Sequence, residues 1–337
     1  VVVSALGGVT DLLLGAATLA SAGDEAYQEK LTVVEQRHLD AVKQLLPVAG
    51  QSQLLSLVKK ACNEIEDICN GIYLLRELTA RSKDRIASYG EWLSSQIIAA
   101  RINTGGVAAQ WIDARELIRT NSNFTAAEVD YAVTNQQVHQ YFKKAERALF
   151  ILPGFIASDS NGITTTLGRG GSDFTAAIMA AALDATVLEI WTDVSGMMTA
   201  DPRLTSNARI IPQISYQEAM ELSHFGAKVI YPPTIQPVMG KGIPVWIKNT
   251  FAPADEGTLI EAVTRKDGDI VRGISSINNI ALISLEGSGM IGIPGFSKRL
   301  FEALSSKKIN VILITQSSSE HSICVGIDTG SANKAKQ

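Results

Sequence analysis

The stretch Thr164 to Thr175, TTTLGRGGSDFT, constrains this chain more than any other. It follows an apolar, strand-like run from Ala148 to Ile156 and opens a small-residue helix expected over Phe174 to Leu183. Three glycines, an arginine and several hydroxyls at a strand-to-helix junction make a phosphate cradle, because free backbone N–H groups and the positive helix end both favour an anion. The spacing fits neither G-x-x-x-x-G-K-[ST] nor G-x-G-x-x-G, so neither a P-loop nor a dinucleotide fingerprint is expected. Arg169 can fork two phosphate oxygens, Ser172 can donate a hydroxyl, and Asp173 can cap the helix or orient an amine. The competing reading is a plain glycine turn before a capped helix. It accounts for one or two glycines but not for the arginine between them.

The rest of the chain alternates strand-like and helical stretches. Val1 to Val3 reads as a buried strand, followed by a small-residue turn through Ser4, Gly7 and Gly8 to Thr10. Leu31 to Leu45, stopped by Pro47, and Leu54 to Leu78 carry two helical apolar stripes. Ser82 is the expected cap of a helix from Lys83 to about Arg101, which holds Gly90 and Glu91; close approach of a ligand would explain the glycine, and a surface glutamate beside a tolerated glycine is the alternative. Ala109 to Ala114 reads as a strand, Thr125 to Lys144 as a helix, Thr186 to Trp191 as a buried strand, Tyr216 to Ser223 as a helix and Pro244 to Thr250 as a last strand. This order predicts an α/β fold, a three-layer αβα sandwich on a mainly parallel sheet, with ligands at the carboxyl ends of the strands. Thr192 and Asp193 stand at one such end, before a loop with Met198, Asp201 and Arg203 that reads either as a nucleotide-holding loop or as an Asx turn with a proline stop. Lys228 follows a glycine further on.

Beyond a polar stretch with Gly257 and Gly268 the pattern changes. Strand-like Ile277 to Leu285, helical Gly295 to Ser305, and strand-like Val311 to Thr315 and Ser322 to Ile327 predict a small ferredoxin-like module. The expected division is 1–254, a linker at 255–269, a module at 270–329 and a polar tail at 330–337.

A net charge of −4 provides no basic stripe for nucleic acid, and 6% aromatic residues provide no stacking platform. Cys62, Cys69 and Cys324 form no C-x-x-C pair and suit buried thiols in a reducing compartment. The four histidines have no H-x-x-x-H partner, so no zinc site is expected. The apolar opening Val1 to Ala22 lacks a basic leader and carries Asp11, which argues against a signal peptide or membrane attachment and for the cytoplasm. Because the first residues already lie in an apolar run without a methionine, an upstream segment is expected to be missing.

Ser4 to Thr10, Ser88 to Glu91, Gly154 to Asp173, Thr192 to Arg203 and Phe225 to Pro232 together resemble the aspartate kinases of the amino acid kinase family, followed by an ACT regulatory module. The wording of Phe225 to Thr258 and of Ile274 to Ile327 is most similar to the kinase half of bifunctional aspartokinase/homoserine dehydrogenases. The resemblance implies ATP-dependent, magnesium-assisted phosphorylation of L-aspartate to 4-phospho-L-aspartate, at the entry to lysine, threonine and methionine synthesis. It implies that Thr10, Glu91, Phe155 and Arg169 hold aspartate, with Glu91 facing the ammonium and Arg169 the α-carboxylate. Ser4, Gly7, Gly8, Ser172 and Asp173 would line the phosphoryl-transfer path, and Thr192, Asp193, Met198, Arg203 and Lys228 would bind the nucleotide. Gln316 and Ile291 would face an amino-acid effector, with threonine favoured, at an ACT pairing that makes a homodimer or tetramer. No protein metal ligand is implied.

Two departures stand out. The family opens on a Lys-Phe-Gly-Gly-Thr-Ser loop that is not among these residues, so a weak or inactive catalyst is expected of this stretch alone, and no dehydrogenase part is present in it. Met198 stands where many relatives place a stacking tyrosine. Two alternatives are a sibling kinase acting on glutamate, acetylglutamate or a nucleotide, and a non-catalytic amino-acid sensor on a kinase fold.

Overall fold

The computed structural model describes residues 1–145, 149–224, 229–263, 271–287, 295–316 and 322–336. They form two compact units, Val1–Ile274 and Ser275–Gln337.

The first unit begins with strand β1 (Val2–Val3) and helices α1 (Val9–Ala22), α2 (Tyr27–Leu45), α3 (Val48–Leu75) and α4 (Ala80–Thr104). Their apolar stripes meet in one cluster that includes Leu13, Val34, Val58, Ile65, Ile86 and Leu93. Cys62 and Cys69 lie in this cluster, and burial pushes their thiols up to about 12 and about 11, so neither is a nucleophile at neutral pH. The cap of α4 is Thr79, not Ser82: the Thr79 side chain accepts the Ser82 N–H at 3.1 Å.

Next come β2 (Ala109–Trp111), α5 (Ala114–Leu117), β3 (Arg119–Thr120) and α6 (Tyr131–Lys143). The helix expected from Thr125 starts six residues later, after Asp130, whose side chain accepts the Val133 N–H. Residues 125–127 are held elsewhere: Thr125 sits at φ 75°, and the Ala127 N–H donates to the Thr166 carbonyl.

The apolar run expected as one strand is two, β4 (Leu149–Pro153) and β5 (Ile156–Asp159). Phe155 between them takes φ 66°, which ends the extended path. Strand β4 lies between β1 and β2, parallel to both, whereas β5 lies between β3 and the hairpin strand β6 (Thr164–Thr166). Helix α7 (Gly171–Ala182) starts three residues before its expected start.

A third sheet, ordered β7-β9-β10-β8, joins β7 (Leu188–Thr192), β8 (Gln213–Ser215), β9 (Val245–Asn249) and β10 (Thr258–Glu261). Helices α8 (Tyr216–His224) and α9 (Gln236–Met239) lie between β8 and β9 in the chain. The stretch expected as a linker therefore contains a strand: β10 runs parallel to β8 and antiparallel to β9. The Thr258 hydroxyl anchors it by accepting the Met197 N–H and donating to the Ile211 carbonyl. The architecture is mixed α/β, with parallel pairing in five of the seven strand ladders described in this unit.

The second unit has the expected β-α-β-β order. Strands β11 (Ile280–Glu286), β12 (Leu313–Gln316) and β13 (Ser322–Asp328) form an antiparallel sheet with β13 in the middle, and α10 (Phe296–Ser306) packs Leu304 into its core beside Ile323, Val325 and Ile327. The residues expected as a polar tail form a short helix, α11 (Ala332–Lys336), with Ala335 against that core. No described helix is long and apolar enough to cross a membrane.

Candidate active site

Two helices of the first unit begin at the same cleft. Helix α1 has Gly8 as its N-cap, at φ 75°, and α7 has Gly170, at φ 68°. Neither start carries a side-chain cap, so first-turn N–H groups are left for an anion. Ser4, Gly7, Gly8 and Thr10 line one side of a 350 Å³ cleft; Gly168, Gly170, Gly171, Ser172 and Asp173 line another, with Phe155 and Glu91 between.

Close backbone contacts set this arrangement. A Cβ on Gly154 would lie 2.7 Å from the Ser172 Cα, and one on Gly170 would lie 3.0 Å from Tyr231 Cβ and 2.9 Å from Thr234 Cγ2. The Phe155 N–H donates to the Thr175 hydroxyl at 3.0 Å, tying the strand break to α7. Gly90 lets α4 reach the opposite wall, since a Cβ there would lie 2.9 Å from the Ala5 Cβ. The approach of the Ser4–Thr10 loop by itself accounts for that glycine. The Ser94 hydroxyl adds a bond to the Ser4 carbonyl, and Arg37 donates to the Gly7 carbonyl at 2.6 Å.

Glu91 is 5% exposed, and its Oε2 has no hydrogen-bond partner among the described residues. Burial pushes its carboxyl up to about 7, while backbone hydrogen bonds from Glu91 itself and Ala5 pull weakly the other way. Asp173, in the first turn of α7, is raised by burial to about 6. Arg169 is exposed, between the cleft-lining glycines Gly168 and Gly170, with its guanidinium carbon 5.5 Å from the centre of the Tyr231 ring. Tyr231 and Arg37 touch cleft-bordering residues from distant parts of the chain, Tyr231 beside Arg169 and Arg37 at the Gly7 carbonyl, which sequence alone does not reveal.

The cleft brings together Ser4, Gly7, Gly8, Thr10, Glu91, Phe155, Ser172 and Asp173, with Arg169 beside it. Thr192, Asp193, Met198 and Arg203 do not line it. Thr192 ends β7 and donates its hydroxyl to Asp193 at 3.2 Å, and Met198 bridges to Ile210. Arg203 is paired with Asp201 at 2.7 Å, and the Asp201 side chain also accepts the Arg203 N–H, so the Asx turn is present. Lys228 and Ile291 lie outside the described residues. Gln316 is exposed at the end of β12, opposite Ile323.

Residues 1–249 match the amino acid kinase family and residues 283–337 an ACT domain. The chain is 36% identical to the chloroplastic bifunctional aspartokinase/homoserine dehydrogenase 2 of Zea mays, over 97% of this chain but only 36% of the maize protein. It therefore spans about a third of the length of the plant relatives it matches. Lysine-sensitive aspartokinase 3 of Escherichia coli is 35% identical over 98% of this chain and 71% of its own length. The crystal structure of E. coli aspartokinase III in complex with aspartate and ADP superposes with a TM-score of 0.83 at 33% identity, covering 97% of this chain and 71% of that one. The chain belongs to the amino acid kinase family, as an aspartokinase part with an ACT domain behind it.

Proposed function

We propose that the chain transfers the γ-phosphoryl group of ATP to the side-chain carboxylate of L-aspartate, giving ADP and 4-phospho-L-aspartate. The observation that carries this reading is the meeting, in one cleft, of two helix starts without side-chain caps and a buried carboxylate with an unpartnered oxygen. Such a cleft suits a ligand with a cationic end and a phosphoryl end. In this reading Glu91 takes the α-ammonium, Arg169 the α-carboxylate, and Thr10 and Phe155 flank the substrate. Ser4, Gly7, Gly8, Ser172 and Asp173 line the transfer path. The attacking carboxylate is already an anion, so positioning and charge neutralisation supply the rate and no general base is needed.

The nucleotide is assigned to Thr192, Asp193, Met198, Arg203 and Lys228; Arg203 would have to share its ion pair with Asp201 to take part. Among the described residues no three carboxylates, histidines or cysteines gather. Magnesium would enter on the nucleotide phosphates and supply charge neutralisation there. Threonine, acting through Gln316 and Ile291 at an ACT pairing of two or four copies, is the proposed effector, supported by the likeness to bifunctional relatives. Lysine, bound in a structure of E. coli aspartokinase III, is the rival. The buried thiols suit a reducing compartment such as the cytoplasm.

The acyl phosphate is trapped by hydroxylamine. Incubation with ATP, magnesium and aspartate should yield aspartyl hydroxamate at a low but measurable rate, and glutamate should yield none. Hydroxamate formed equally well from glutamate, or ADP released without aspartate, contradicts the assignment.

A further inference from the structure

Asp84 lies seven residues before Glu91 on α4, two turns earlier and on the same side of the helix. It is 1% exposed, and four hydrogen bonds converge on its carboxylate. Oδ1 accepts the Thr166 hydroxyl at 2.7 Å and the Thr125 N–H at 3.0 Å. Oδ2 accepts the Thr166 N–H at 3.0 Å and the Thr125 N–H at 2.9 Å. These partners are 41 and 82 residues away in the chain.

Both tethered residues border the glycine-arginine loop. Thr166 ends β6, two residues before Gly168, and the next N–H, that of Leu167, donates to the Phe155 carbonyl. Thr125 holds φ 75°, an outlier for a β-branched residue, and its carbonyl oxygen stands 3.4 Å from where a Cβ on Gly168 would be. A carboxylate accepts from all of these donors at once. Asparagine could keep both N–H bonds on its oxygen, but its NH2 would face the Thr166 hydroxyl and the Thr125 N–H, forcing that hydroxyl to accept and leaving its hydrogen without the carboxylate partner.

We propose that Asp84 is a positioning residue that locks the Glu91 helix to the Gly168–Gly171 loop, so that the groups holding the two ends of the amino-acid substrate keep a fixed separation. This rests on the aspartate kinase reading and deepens it. Asp84 acts through Thr125 and Thr166 and does not line the cleft. Its hydrogen bonds run to Thr125 and Thr166 and not to Thr192, Asp193 or Arg203, the residues assigned to the nucleotide.

The test is calorimetric titration of aspartate and, separately, of ADP into the unmodified chain, Asp84→Asn and Thr166→Val, with melting temperatures recorded for all three. Asp84→Asn should weaken aspartate binding about tenfold and ADP binding by less than about twofold. Thr166→Val, which removes one donor and leaves the backbone bond, should weaken aspartate about threefold. A folded Asp84→Asn that binds aspartate as the unmodified chain does overturns the proposal, as does an equal loss for aspartate and ADP, which marks a merely structural carboxylate. Should Asp84→Asn not fold, unchanged aspartate affinity in Thr166→Val overturns it. An unmodified chain that binds no aspartate sinks the kinase reading and this inference with it; normal binding with unaffected variants sinks the inference alone.

Discussion

Glu91→Gln should weaken aspartate binding about a hundredfold and, in the same protein, raise the melting temperature at pH 8 by a few degrees. Both effects come from one oxygen: Glu91 is buried and its Oε2 unpartnered. The folded state holds the Glu91 proton up to about pH 7, against an ordinary value of 4.5. Between those values the folded state binds more protons than the unfolded chain, so stability falls as pH rises, and the deficit is complete above about 7. Glutamine carries no charge and escapes that deficit, so its advantage should be largest at pH 8 and vanish near pH 4. A substrate ammonium would remove the same deficit by pairing with the carboxylate, which is why the residue that destabilises the free protein should be the one that binds. Thermal melts at the two pH values and an aspartate titration check this. A variant that is less stable at pH 8, or that binds aspartate normally, contradicts it.

Gly154→Ala should cost about 2 kcal/mol of stability and reduce phosphoryl transfer by at least about tenfold. The new methyl would meet the Ser172 Cα and Cβ at 2.7 Å, and a backbone atom cannot swing aside as the end of a long side chain can. The start of α7 would have to move away from β4, taking Gly170, Gly171 and Ser172 with it. The loss should therefore appear in kcat with ATP and aspartate both saturating, and in the urea midpoint. A wild-type kcat would show that the spacing between β4 and α7 does not govern transfer.

The turn after β1 and the loop before α7 could be read from sequence because they are short glycine- and hydroxyl-rich runs next to strand ends, whereas Glu91 and Phe155 were tied to them only by the resemblance to aspartate kinases. Ser4 to Thr10, Glu91, Phe155 and the glycines and Ser172–Asp173 of the loop line one cleft. What sequence hid was set by distant partners. The break at Phe155 is invisible in a continuous apolar run, since its cause is the Thr175 hydroxyl and the contact of Gly154 with Ser172. Strand β10 was concealed in a polar stretch because Thr258 finds its partners at Ile211 and Met197, 47 and 61 residues back. The helix expected from Thr125 was displaced by the same hydrogen bonds that make Asp84 of interest. Of the two readings open for the loop after β7, the structure shows the Asx turn: the Asp201 and Arg203 side chains satisfy each other within one turn.

The central claim is that Glu91 meets the substrate ammonium in this cleft. Its most direct test is calorimetry of aspartate binding at pH 6 and pH 8, each in two buffers of different ionisation enthalpy. With the Glu91 carboxyl at about 7 in the free protein, binding at pH 6 should release about one proton, binding at pH 8 close to none, and affinity should be higher at pH 8. Aspartate that binds with the same affinity at both values and releases no proton at pH 6 would contradict it.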